Sequence, residues 1–180
     1  VQNAGTDAYN VAIGYNAGIV ISTGTFNTLI GGLAGDAIST GSANVAIGHT
    51  ALGSEDTHGF NVAVGYRSLA TQDAGAHAYN TAIGTDTGRL ISTGILNTIV
   101  GGLAGDALTT GNSNVAVGYL ALSGEIQGDR NVAIGHAALE TQANSSDTDV
   151  YNTAIGYNAG KLMTTGKQNT IIGGLAGDAL

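Results

Sequence analysis

The chain has 180 residues, 30 of them glycine and none proline, cysteine or tryptophan, with a formal net charge of −8. Its 13 acidic against 5 basic residues oppose binding to nucleic-acid phosphates or anionic lipid, and the missing cysteines exclude disulfides and thiolate metal sites. With 10% charged and 43% hydrophobic residues it lacks the composition of a disordered chain, glycine follows no collagen period, and no apolar run reaches the roughly 18 residues of a membrane span.

After the opening VQNAGTDAYN, the phrase N-[VT]-x-[IV]-G begins at Asn10 and returns at Asn27, Asn44 and Asn61, completing a block over 1–70. TQDAGAHAYN (71–80) repeats the opening, and a second block over 71–141 places the phrase at Asn80, Asn97, Asn114 and Asn131. TQANSSDTDVYN (141–152) opens a partial block over 142–180, with copies at Asn152 and Asn169. Seven of the nine intervals are 17 residues; the two that follow Asn61 and Asn131 are 19 and 21. Residues 1–180 therefore read as a single array of ten coils, which is expected to be an excerpt of a longer one.

Within a unit such as 44–60, alternation puts Val45 and Ile47 on one strand face and Asn44, Ala46 and Gly48 on the other. Gly48 permits a bend, and most units close in S-T-G or T-T-G, as at 22–24 and 109–111. A 17-residue unit is too short for helical repeats and lacks a leucine ladder, which leaves one turn of an all-β, parallel β-roll-like solenoid. The Val/Thr and Ile/Val positions are expected inside each coil. The small face is then expected to be buried between chains, with Leu29, Ile99 and Ile171, one per block, as an inter-chain apolar layer. Asn10, Asn27, Asn44, Asn61, Asn80, Asn97, Asn114, Asn131, Asn152 and Asn169 are expected to stack as a side-chain ladder, since an amide both donates and accepts.

NTAIGYNAG (152–160) and TTGKQNTIIGG (164–174) resemble repeats in the shafts of bacteriophage tail fibres, and also the N-S-V-A-I-G head repeats of trimeric autotransporter adhesins. The resemblance covers essentially the whole chain; the A-G-x-x-x-[ST]-T-G pattern is nearer the phage repeats, whereas the adhesin heads carry Ser where this chain has Asn or Ala. Both families imply an elongated homotrimer outside the cell, on a virion or a bacterial surface, with a role in attachment to a host glycan or protein receptor and no chemistry on a substrate. The expected function is a rigid trimeric fibre shaft presenting a receptor-binding tip; the alternative is an adhesin head that binds through its lateral surface.

GGLAGDA, at 31–37, 101–107 and 173–179, has no following Lys-Ser/Thr and no helix, so it reads as coil bends with Asp36, Asp106 and Asp178 bonding turn amides. Tyr15, Tyr66, Tyr119 and Tyr157 follow strand-ending glycines, with His49 and His136 in the same position, and Tyr9, Tyr79 and Tyr151 precede the first Asn of each block. They read as corner packing, with glycan contact as the functional alternative. Histidines 49, 58, 77 and 136 lack metal-ligand spacing, no serine elbow exists, and pairs such as Glu55-Asp56, which resemble glycosidase carboxylates, are expected in solvated loops. No catalytic residue, cofactor or metal is therefore assigned.

Overall fold

The computed structural model describes residues 7–179. The chain winds into an all-β solenoid in which each coil gives one three-residue strand to a single parallel sheet. The strands are β1 (Val11–Ile13), β2 (Thr28–Ile30), β3 (Val45–Ile47), β4 (Val62–Val64), β5 (Thr81–Ile83), β6 (Thr98–Val100), β7 (Val115–Val117), β9 (Val132–Ile134), β11 (Thr153–Ile155) and β12 (Thr170–Ile172). Two shorter strands, β8 (Gly128–Asp129) and β10 (Thr148–Asp149), pair beside it where the second insert lies. Register is constant: Ala12 faces Leu29, and the longer intervals preserve it, pairing Val62 with Thr81 and Val132 with Thr153. At about 4.8 Å per coil the stack is roughly 45 Å long.

Four backbone positions in every coil have positive φ. In the second coil they are Phe26 (59°), Gly31 (133°), Leu33 (59°) and Gly35 (54°), and the same four recur in all ten coils. A non-glycine residue there costs about 1–2 kcal/mol, so stacking has to hold these corners in place. The strand-ending row is glycine throughout for a separate reason: a Cβ on Gly31 would lie 2.6 Å from the Gly48 carbonyl oxygen of the next coil.

The two strand faces are the reverse of the expected ones. Ala46, Ala63, Ala82, Ala116, Ala133 and Ala154 are buried inside the coil, and no Val, Ile or Thr of the flanking columns is buried. Ile13 is 58% exposed, Ile83 41% and Ile155 36%. Leu29, Ile99 and Ile171 are 0%, 1% and 8% exposed in the single chain and belong to its own core. They are not an inter-chain layer. Their recurrence has an intramolecular cause, which is volume.

Three interior columns fill each coil. The first two coils of a block carry glycine in the second column, and the next two carry leucine: Gly18, Gly35, Leu52, Leu69, then Gly88, Gly105, Leu122, Leu139. Leu29 reaches into the space left by the glycines, since a Cβ on Gly18 or Gly35 would meet its methyl carbons at 2.7 and 2.8 Å. Where the second column is Leu52 or Leu69, the strand residue is alanine. The third column runs Ile21, Ile38, Glu55, Gln72, Ile91, Leu108, Glu125, Gln142, Met163. The block of about 70 residues is thus a four-step packing cycle.

Leu29→Ala should cost about 2–5 kcal/mol, the usual range for a core leucine. Adding Gly35→Leu, which recreates the alanine–leucine pairing of the next coil, should recover most of that loss in urea unfolding followed by circular dichroism.

Candidate functional site

The asparagines join the coils through the main chain. At all nine steps the Oδ1 of one asparagine accepts the backbone N–H of the next, from Asn27 to Asn10 at 2.7 Å through Asn169 to Asn152 at 2.9 Å. In most coils Nδ2 donates to the carbonyl fourteen residues ahead, as from Asn27 to Gly41 (2.8 Å) and Asn97 to Gly111 (2.9 Å). The amide closes both bonds at once, its oxygen accepting while its nitrogen donates. The second bond is lost where the inserts follow: Asn61 Nδ2 has no partner, and Asn131 Nδ2 turns instead to Asn114 Oδ1.

Outside the sheet, the Val/Thr and Ile/Val columns run the length of the stack. The ten strands present a surface about 10 Å wide and 45 Å long, or roughly 450 Å². That area reaches the size of the largest patch a typical monomer leaves uncovered, about 300–600 Å². Aromatic residues extend it at the corners. Tyr15, Tyr66, Tyr119 and Tyr157 are exposed, with His49 stacked on Tyr66 at 5.8 Å and His136 between Tyr119 and Tyr157 at 5.6 and 5.2 Å. On the other corner Tyr9 stacks on Phe26 at 5.5 Å and Phe60 on Tyr79 at 5.0 Å, while Arg130 lies over Tyr151. These rings shield one another along the outside and stay open to solvent.

The carboxylates depart most from expectation. Glu55, expected in a solvated loop, and its counterpart Glu125 are both 0% exposed and occupy the third interior column. Glu125 is fully served: its Oε1 accepts the N–H groups of Ile126, Gly128 and Asn144 at 2.8–3.0 Å. Its Oε2 takes the side-chain amides of Gln142 and Asn144, both at 2.8 Å. Glu55, one block earlier, has only the His58 N–H on Oε1 (3.0 Å), and its Oε2 has no partner. Burial pushes the Glu55 carboxyl above its ordinary range; the His58 amide and ring pull it back, and Asp73 and Asp56 push it further up. Ligand atoms of Glu55, Asp56, His58 and Asp73 all lie within 4.8 Å of one another. The signal for this burial was available in the sequence, because Glu55 and Gln72 lie 17 and 34 residues after Ile38, in the same column.

The GGLAGDA aspartates do not share one role. Burial raises the Asp106 carboxyl, an effect opposed by Arg89 at 4.0 Å and by its own backbone amide, while the side chains of Asp36 and Asp178 bond no turn amide among the described residues. The described residues form no pocket, and no helix among them is long and apolar enough to cross a membrane. Comparison with known proteins found no matching family model, no matching curated protein and no matching solved structure.

Asn97→Ala strips a partner from two backbone groups, the Asn114 N–H and the Gly111 carbonyl, at about 1–3 kcal/mol each. Asn61→Ala strips only the Asn80 N–H. Urea midpoints should therefore fall clearly further for Asn97→Ala than for Asn61→Ala.

Proposed function

We propose that this chain is a rigid shaft of a surface-attachment fibre of the phage tail-fibre kind, assembled as a homotrimer outside the cell and holding a receptor-binding tip away from the particle. The observation that carries this reading is the uncovered outer face of the sheet, where one column of Val and Thr and one of Ile and Val stand with no charged residue among them. Three such faces turned towards a common axis would cover one another and leave the acidic corners in water. The apolar layer between chains is on this view formed not by Leu29, Ile99 and Ile171 but by residues such as Ile47, Val64, Val100 and Val117. The number three comes from the resemblance of the repeats to fibre and adhesin sequences; the face itself calls only for a cover.

The mechanism is mechanical. Continuous hydrogen bonding along the axis resists bending, and burial of the outer face adds roughly 25 cal/mol per Å² of apolar surface removed from water. No catalytic step enters this reading, and the Glu55-Asp56 pair, with one carboxylate inside the coil, is not placed as a glycosidase pair.

Light scattering coupled to small-angle X-ray scattering should give the mass and profile of a three-chain rod. Val64→Lys with Val117→Lys, both on the outer face, should reduce the mass to one chain while the circular dichroism stays that of the wild type. A monomeric wild-type chain, or a trimer untouched by these lysines, would overturn the assembly.

The exposed rings of Tyr66, Tyr119 and Tyr157, each packed against a histidine, favour one second reading, an adhesin head whose side binds host glycans. On that reading, replacing all three by Ala abolishes retention on a glycan array with the mass unchanged; on the shaft reading the wild type shows no glycan retention to lose.

A further inference from the structure

The two full blocks contain the same interior glutamate in two settings, which makes each a control for the other. In the second block Glu125 is followed by Ile126, Gln127 and Gly128, and the facing insert supplies Gln142, Ala143 and Asn144. In the first block the matching positions are Asp56, Thr57 and His58, then Gln72, Asp73 and Ala74. Asn144, which donates both its backbone and side-chain N–H to Glu125, is thus replaced by Ala74. Gln72 is no substitute, because its Nε2 donates to the Ser92 carbonyl at 3.2 Å. Two neutral donors are removed, and two carboxylates and an imidazole arrive.

This exchange leaves Glu55 wholly inside the coil with Oε2 bare, beside two further acidic groups. Neither Asp56 nor Asp73 pairs with an Arg or Lys among the described residues. A buried, unpaired carboxylate is costly, and like charges raise that cost. One divalent cation reverses both signs at once. The His58 Nδ1 lies 3.7 Å from Glu55 Oε1, and the four ligand atoms fall within 4.8 Å of each other. Metal–ligand bonds of about 2.0–2.2 Å hold ligands roughly 3–4 Å apart, so a small closing movement suffices, and the exposed Asp73 can supply it.

We infer that this corner of the third coil binds one first-row divalent transition-metal ion, of the Zn²⁺ class, through Glu55, Asp56, His58 and Asp73. The imidazole selects the ion. Ca²⁺ and Mg²⁺ take oxygen ligands, whereas a nitrogen with carboxylates suits Zn²⁺, Co²⁺ or Mn²⁺. The ion pins the first insert to the coil before it, the task that the Asn144 amide performs one block later. The site is one per block-one insert and lies away from the outer strand face, so it stands independently of the trimeric shaft.

Calorimetric titration of the chelator-stripped chain with ZnCl₂ should show one equivalent bound per chain, with a raised thermal midpoint. His58→Gln, at a half-buried position, and Asp73→Asn, at an exposed one, should each weaken binding at least tenfold with an unchanged circular dichroism spectrum. The double change Asp73→Ala with Ala74→Asn copies the second block; it should abolish the Zn²⁺ response and raise the midpoint of the metal-free chain. No binding by the wild type, binding indifferent to these substitutions, or Ca²⁺ binding as tight as Zn²⁺ would each overturn the assignment.

Discussion

Everything in this molecule follows from the requirement that one coil repeat on the next at the spacing of a β-sheet. Each strand of the main sheet is only three residues long, too short to be stable as a hairpin, and its partners are always the coils before and after. The asparagine ladder extends that pairing around the corner that precedes each strand, because Oδ1 fixes the next coil's N–H and Nδ2 fixes a carbonyl of the turn. It is also what makes the left-handed residue before each asparagine tolerable: Phe26, Phe60, Leu96 and Arg130 all occupy it, residues that would avoid that conformation in an isolated turn.

A narrow coil imposes the second constraint, which is volume. Four sharp corners in 17 residues leave an interior in which alanine on one wall faces leucine or isoleucine on another. Where that wall shrinks to glycine in two successive coils, the strand residue of the second grows to Leu29, Ile99 or Ile171. Because the compensation runs over four coils, the chain carries a period longer than its structural unit. GGLAGDA returns letter for letter because it contains the crowded strand-end glycine and the empty second-column glycine of the same coil type.

The coil, its parallel stacking and its register could be read from the spacing alone, since ten copies in phase leave few other architectures. The orientation of the strand could not. Period two separates Val45 and Ile47 from Ala46 but is silent on which side is inside, and apolar bulk argues for the wrong one. In a wide sandwich the larger residues fill the core; in a coil this narrow they do not fit, and alanine goes in. Glu55 was misplaced for a related reason. Judged by type it belongs in water, whereas judged by column, behind Ile21 and Ile38, it belongs inside. In a repeat protein the column is the stronger guide.

The inserts show how such a frame admits variation. They add two and four residues, yet Val62 still faces Thr81 and Val132 still faces Thr153. The disturbance of the ladder is confined to the donor side of Asn61 and Asn131, and in both blocks a glutamine packs beside the next asparagine. Gln72 Oε1 and Gln142 Oε1 accept the Nδ2 of Asn80 and Asn152, which keep their own turn carbonyls as well. What lies beyond that shared glutamine differs. The second insert adds a small strand pair and an ion pair between Arg130 and Asp149, while the first gathers acidic groups and histidine around Glu55. With a spacing of four coils, these corners recur about every 19 Å along the rod. The frame thus repeats its mechanics without repeating its surface chemistry, because the bonds that set the register lie in the coil and the variation lies in the inserts.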